Sequence, residues 1–405
     1  MRSIILGHSL DHLNHAAQTW PRQSTKSATV KHERKPNSTV AKRKWSQAPT
    51  DEILVKETKP SQLSVGPSSR GCKLTCPHLT SACEVALDVN MTLLAPLQKV
   101  QHTFLRRLLG LNPRSMCAFL FSETGLPPIA YRRINLALHY MLYIVGLTPG
   151  HLALCALKEC QSLYAAGKPC WLGDLAIVVG CMPCQTPFFN PSVLTIDSIG
   201  KLIDDVKTSM EAHIDTSIQA STKGVLLCGR LEQNDEGALI HHSMHFHNYL
   251  YITIPEHCKT LTQLLLADHC LAEVQLRYAE RHRPYVPHIW CLCRFCKNYV
   301  EDAPHALLAC DGSEDLIALR RVFLETVFTL APPLKGLLPS CTALHFFLHL
   351  MTFKSVLNCT AKYSHDVLLV YASKEMFVVD SAAYGAEGLT HPAAPTTHVI
   401  NNMLW

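Results

Sequence analysis

Apolar residues recur at helical spacing over most of the chain after residue 90, while strand-like alternation is rare. Leu93, Leu97, Val100, Phe104 and Leu108 make one stripe, with Lys99, His102 and Arg106 away from it, and Gly110 closes this first predicted helix. Pro96 is expected in its first turn, where the missing N–H has no intrahelical partner to lose. Pro127-Pro128 precede a second helix from Ile129 to Leu147 that is apolar nearly all round. Arg132 and Arg133 at its start, and its modest length, predict a buried core helix rather than a membrane span. A third helix is predicted from His151 to Ala166, ahead of Gly167, and a fourth from about Ser198 to Ala220 on Ile199, Leu202, Ile203, Val206 and Met210. Between these two lies a connector rich in Pro and Cys.

Thr260 and Gln263 have the spacing of a capping box for a fifth helix through Leu264, Leu265, Leu271, Val274 and Leu276. Further helical periods run from Leu316 to Leu330, Leu344 to Met351 and Val367 to Tyr371, broken by Pro332-Pro333 and Pro339. The clearest strand signal is Tyr249 to Ile254. The predicted fold is mainly α: helical bundles with a small zinc-stabilised loop element and a disordered N-terminal leader. The organisation read from these patterns is a leader over 1–70, a helical region over 71–185 and a helical connector over 186–255. A helix plus metal-binding element follows over 256–320, C-terminal helices over 321–375 and a loose tail over 376–405.

At 405 residues, with 48% hydrophobic and 17% charged residues, the chain is long enough for two or three domains and can bury a sizeable core. Residues 1–70 carry twelve Lys or Arg against five Asp or Glu, so the whole formal charge of +5 comes from the leader. Its basic clusters, Lys31 to Lys35 and Lys42 to Lys44, suit either nuclear targeting and phosphate contact or a solvated extension. Ile4-Ile5-Leu6 is too short for a secretory signal, which predicts a nuclear or cytoplasmic protein with reduced cysteines.

Reduced cysteines give the sharpest chemical signal. Cys293, Cys296, His305 and Cys310 follow C-x2-C-x8-H-x4-C, which can close a tetrahedral zinc site within eighteen residues. Four soft or borderline ligands with no position left for water describe a structural ion. Rival constellations are weaker. His241, His242, His245 and His247 lack the Glu of a zinc-protease helix and run into the expected strand, so they read as surface histidines. Cys181 and Cys184 form a second C-x2-C pair, with no partner pair at ribbon spacing.

Three blocks resemble the C-terminal part of non-LTR, LINE-like retrotransposon reverse transcriptases of fungi. The first is Ala82 to Val85 with Leu97 to Leu111, which in that family leaves the polymerase palm and enters the thumb. Ser122 to Ile129 with Tyr131, Arg132 and Arg133 is similar to the thumb, and Leu261 to Cys310 to the terminal zinc-knuckle-like element. The chain departs from the pattern at Cys291, where the family tends to have Arg, and at Cys258, where His-Arg is expected. It also lacks the paired aspartates that polymerases place on a strand turn to hold two metal ions. Asp204-Asp205 instead falls on the polar face of the fourth helix.

The resemblance therefore implies a truncated, non-catalytic remnant with a structural zinc ion and weak, non-specific binding of RNA or DNA. The phosphate contacts it implies are Lys99, Arg106, Arg107, Arg132, Arg133 and Arg294. An all-helical protein interaction module and an unselected pseudogene product are the alternatives.

Overall fold

The computed structural model describes residues 80, 82–183, 189–234, 236–241, 243–280, 283 and 285–380. The basic leader 1–70, most of the tail 376–405, Cys184 and His242 lie outside them. The described part is mainly helical, with one two-stranded antiparallel sheet pairing β1 (Glu232–Gln233) with β2 (Leu239–Ile240).

The first half gathers α1 (Met91–Leu109), α2 (Cys117–Thr124), α3 (Ile129–Val145), α4 (Leu152–Ala165), α5 (Trp171–Gly180) and α6 (Ile196–Gln219). Here α3 packs along α6, with α1, α2, α4 and α5 set around them. The second half gathers α7 (Pro255–Leu265), α8 (Ala272–Gln275), α9 (Glu314–Leu330), α10 (Pro333–Leu337), α11 (Ala343–Thr352) and α12 (Leu357–Ala372). In it α12 lies between α7 and α9. One continuous apolar core runs through both halves, from Leu105 to Tyr371. No helix among the described residues is long and apolar enough to cross a membrane.

Local chemistry explains the helix ends. Asn90 caps α1 by accepting from Thr92 N–H, and Thr195 with Ser198 forms a reciprocal capping box on α6. Gly110 ends α1 in the left-handed region at φ +67°, and a Cβ there would lie 2.8 Å from the Lys259 stem of α7. The positive φ is what favours glycine here, since the exposed Lys259 side chain can move aside.

The apolar stripe on α1 is not the buried one. Leu93, Leu97, Val100 and Leu108 are 37–60% exposed, whereas Leu94, Gln101, Leu105 and Leu109 face the interior. The helix is rotated by one residue because Gln101, a polar side chain, holds the start of α3: its Oε1 accepts from Ile129 N–H at 2.9 Å and its Nε2 donates to Pro127 O at 3.0 Å. Pro96 falls in the second turn of α1, two positions beyond the expected first turn.

Three other expectations change. Part of the Pro- and Cys-rich connector is helix α5, where burying Leu172 and Leu175 completely at about 1.5–3 kcal/mol each outweighs the ~0.5–1 kcal/mol penalty of Gly173. The expected strand at Tyr249 to Ile254 begins as a 3₁₀ turn over Asn248–Tyr251, since Tyr249 turns inward to donate its hydroxyl to Glu123 at 2.7 Å. The expected capping box at Thr260 lies inside α7, which starts at Pro255 and stops at Leu265 before a turn to α8.

Glu123 itself is buried on α2 beside Arg230 at 2.9 Å, and His247 binds Glu232 at 2.7 Å. Burial alone would raise the Glu123 carboxyl, but Arg230, His247 and the Tyr249 hydroxyl outweigh it and hold the group below its usual 4.5. His247 is therefore an interior hydrogen-bond partner of Glu232, while His241 and His245 are exposed on loop backbone.

Candidate metal centre

The centre begins at a reverse turn over Cys293-Arg294-Phe295-Cys296. Lys297 N–H donates to Cys293 O at 2.9 Å, and Lys297 adopts φ +58°, a left-handed step rare outside glycine. Leu292 and Val300 then pair as an isolated antiparallel bridge, and Cys293 N–H donates to Tyr299 O at 2.8 Å. Two thiols are thus aimed at one point by a closed loop.

The other two ligands come from a π-type turn over His305–Ala309, closed by Cys310 N–H to His305 O at 2.8 Å. In an α-helix, residues five apart point about 140° away from each other. Widening the turn by one residue brings His305 and Cys310 to the same side, the kind of local departure found at functional sites. The carbonyls of this turn are capped by neighbours: Arg320 Nε donates to Leu307 O at 3.2 Å, and the hydroxyl of Tyr363 donates to the same oxygen. Asp302 accepts from His305 N–H at 2.8 Å, and burial pushes its carboxyl up to about 7.

The four ligand atoms lie within 4.8 Å of one another, the one such group of three or more metal-ligating side chains among the described residues. Cys293 Sγ and Cys310 Sγ are 3.6 Å apart, and Cys296 Sγ is 3.3 Å from His305 Nε2. A tetrahedron with ~2.3 Å metal–sulfur and ~2.0 Å metal–nitrogen bonds requires edges of about 3.8 and 3.5 Å. The donor set and its spacing fit zinc, and the cluster can hold a metal ion. Hydrogen bonding to Cys293, with burial, raises the Cys296 thiol. Backbone amides of Asn298 and Gly312 favour the thiolates of Cys296 and Cys310.

Gly312 carries no sequence signal of its own, yet a Cβ there would sit 2.5 Å from Cys296 N and 2.6 Å from Phe295 C. Gly312→Ala is expected to push the Cys293–Cys296 turn away from His305 and Cys310. The protein should lose about 1–3 kcal/mol of stability and bind metal at least tenfold more weakly in a chelator competition. Unchanged metal affinity would show that the turn yields without moving its thiols.

Arg294, expected to meet phosphate, is instead interior. It is 4% exposed and spends all five donors inside the protein. Its Nε and one Nη2 hydrogen bind Glu301 at 2.6–3.1 Å, its Nη1 binds Tyr371 O and Lys374 O, and its Nη2 also binds Cys270 O. Glu301, fully buried, further accepts from the backbone N–H groups of Ala272 and Arg294 at 2.8 Å. Arg133 is buried as well and donates to Asp88 O at 2.6 Å. Arg106 is half-buried against Ser115 O at 2.7 Å. Lys99 and Arg107 are exposed on α1, and Arg132 is half-buried on α3. The six basic residues are thus split between an outer group of three and an inner group that fastens the fold.

No protein-family model, curated protein or solved structure matches the chain.

Cys181 lies exposed just after α5. Asp204 and Asp205 are exposed on α6, on helical backbone rather than on the strand turn that a two-metal phosphoryl-transfer site uses.

Proposed function

We propose that the chain is a zinc-stapled helical module that binds RNA or DNA weakly and without sequence preference. In this reading it is a non-catalytic remnant of the C-terminal part of a non-LTR retrotransposon reverse transcriptase, working in the nucleus or cytoplasm. The observation that carries it is the closed Cys293, Cys296, His305, Cys310 cluster, whose four ligands leave no position for a substrate or water. The zinc ion would tie the turn after the α8 segment to the turn before α9, and its chemistry there is structural: it neutralises thiolates and fixes two loops in one position. Lys99, Arg107 and Arg132 remain accessible for phosphate.

Binding of a fluorescent single-stranded RNA to the metal-loaded protein tests this. If three phosphates are neutralised, log K should fall with log salt at a slope of about −2, and the triple variant Lys99→Ala, Arg107→Ala, Arg132→Ala should abolish that slope. A protein that carries one zinc ion and shows no RNA binding at low salt would shift the assignment to an interaction module. The exposed stripe of Leu93, Leu97, Val100 and Leu108 on α1 favours that second reading.

A further inference from the structure

Beside the metal centre a cavity of 690 Å³ opens between the loop after α6, the α7–α8 segment and the start of α11. Its volume falls in the range of small-molecule sites. Leu226, Leu264, Val286, Ala303 and Ala343 give it a buried apolar interior, and Val225, Tyr285 and His345 are exposed around its mouth.

Its polar groups lie between these two zones. Glu273 is only partly exposed; it interacts with His288, whose Nε2 lies 3.8 Å away, and sits 3.5 Å from His269 Nε2 and close to Arg277. A carboxylate has about four lone-pair sites, so Glu273 keeps acceptor capacity for a ligand beside these partners. Arg277 Nη1 is a buried donor without a hydrogen-bond partner. Lys223 also lines the cavity, with Nζ donating to the Tyr278 hydroxyl. Asp302 faces the same space but already accepts from His305 N–H.

An apolar slot, a carboxylate with spare acceptor capacity and a pair of cations describe a flat ring with a donor edge and an anionic substituent. We propose that this cavity binds a guanine nucleotide, held as an unpaired residue of single-stranded RNA. Glu273 would accept from guanine N1–H and N2–H, while Arg277 and Lys223 would meet its phosphate. Guanine presents two neighbouring donors that match one carboxylate. Adenine, cytosine and uracil each set a single donor group beside an acceptor, which a carboxylate oxygen repels. The inference rests on the nucleic-acid reading above and gives it a base preference that the outer basic residues do not supply.

The test is calorimetric titration of the full-length, metal-loaded protein with the 5′-monophosphates of guanosine, adenosine, cytidine and uridine, and with an oligouridylate that contains or lacks one central guanosine. Guanosine monophosphate should bind at least tenfold more tightly than the other three. Glu273→Leu should erase that preference, and Val225→Trp, a change at the exposed mouth, should block binding with metal content and melting temperature unchanged. Equal affinity for all four nucleotides, or guanosine monophosphate binding untouched by both variants, overturns the proposal. Salt-dependent oligouridylate binding with no guanosine effect overturns the cavity and leaves the surface reading standing. Binding of guanosine monophosphate and of the guanosine-containing oligouridylate, with none of the guanosine-free one, supports the cavity and removes the surface reading.

Discussion

Cys293→Ser should strip the metal from the protein and cost on the order of 4 kcal/mol or more of stability, the range that follows loss of a metal site. Cys293 is wholly buried, 3.6 Å from Cys310 Sγ and 3.5 Å from the Tyr371 hydroxyl, so no solvent is at hand to replace its thiolate. A serine hydroxyl is a harder and weaker ligand for zinc than a thiolate. The effect should spread beyond the loop, because Tyr371 belongs to α12 and packs edge-on against Phe295 with ring centres 5.0 Å apart. At roughly 2 °C per kcal/mol, the melting temperature should fall by about 8 °C, and a chelator should lower that of the parent but not of the variant. Cys181→Ser, at an exposed thiol, is the control and should change neither. Equal melting of parent and Cys293→Ser would mean that the four side chains meet without an ion contributing to stability.

Glu301→Gln should lower stability by about 3–5 kcal/mol with the metal ligands intact, since it leaves Arg294 as an uncompensated buried charge. The pair is 4% and 0% exposed at 2.6 Å, so the small values typical of surface ion pairs do not apply. Glu301 also joins the turn of the metal centre to α8 through Ala272 N–H, and Arg294 joins that turn to the end of α12 through Tyr371 O and Lys374 O. Replacing both residues by apolar ones should not restore stability, because the carbonyls of Cys270, Tyr371 and Lys374 would lose the donors they now have. Urea unfolding of Glu301→Gln and of the double variant gives the answer. A loss under about 1 kcal/mol in Glu301→Gln would show that water reaches the pair.

The sequence by itself determined that the chain is mainly helical. The periods at Ile129 to Leu147, His151 to Ala166, Ser198 to Ala220 and Leu316 to Leu330 each became a helix within a few residues of the expected ends. Those starts are local matters, settled by Pro128, His151 and the Thr195 cap. The metal cluster was legible for the same reason: Cys and His in a short span carry their chemistry in their identity, and eighteen residues of chain can bring four of them together.

What only the tertiary structure decided is which face of each element is buried and which charges are spent inside. The stripe on α1 was misplaced by one residue because Gln101, not a leucine, fastens that helix to α3, and hydrophobic periodicity gives no weight to a buried amide. Arg294 and Arg133 look like any surface cation in sequence, since Arg294 is buried by the carbonyls of Cys270, Tyr371 and Lys374, and Arg133 by Asp88 O, only after distant segments meet. The π-type turn that aligns His305 with Cys310 depends on Arg320 and Tyr363, which arrive from α9 and α12 to cap its carbonyls. Gly312 is required by the approach of another backbone, a constraint that exists only once the two turns are in contact. Local propensity thus wrote the helices and the ligand set. The rotation of the helices, the burial of the ion pairs and the closure of the metal cluster follow from long-range packing, where desolvation makes each partner's position depend on the others.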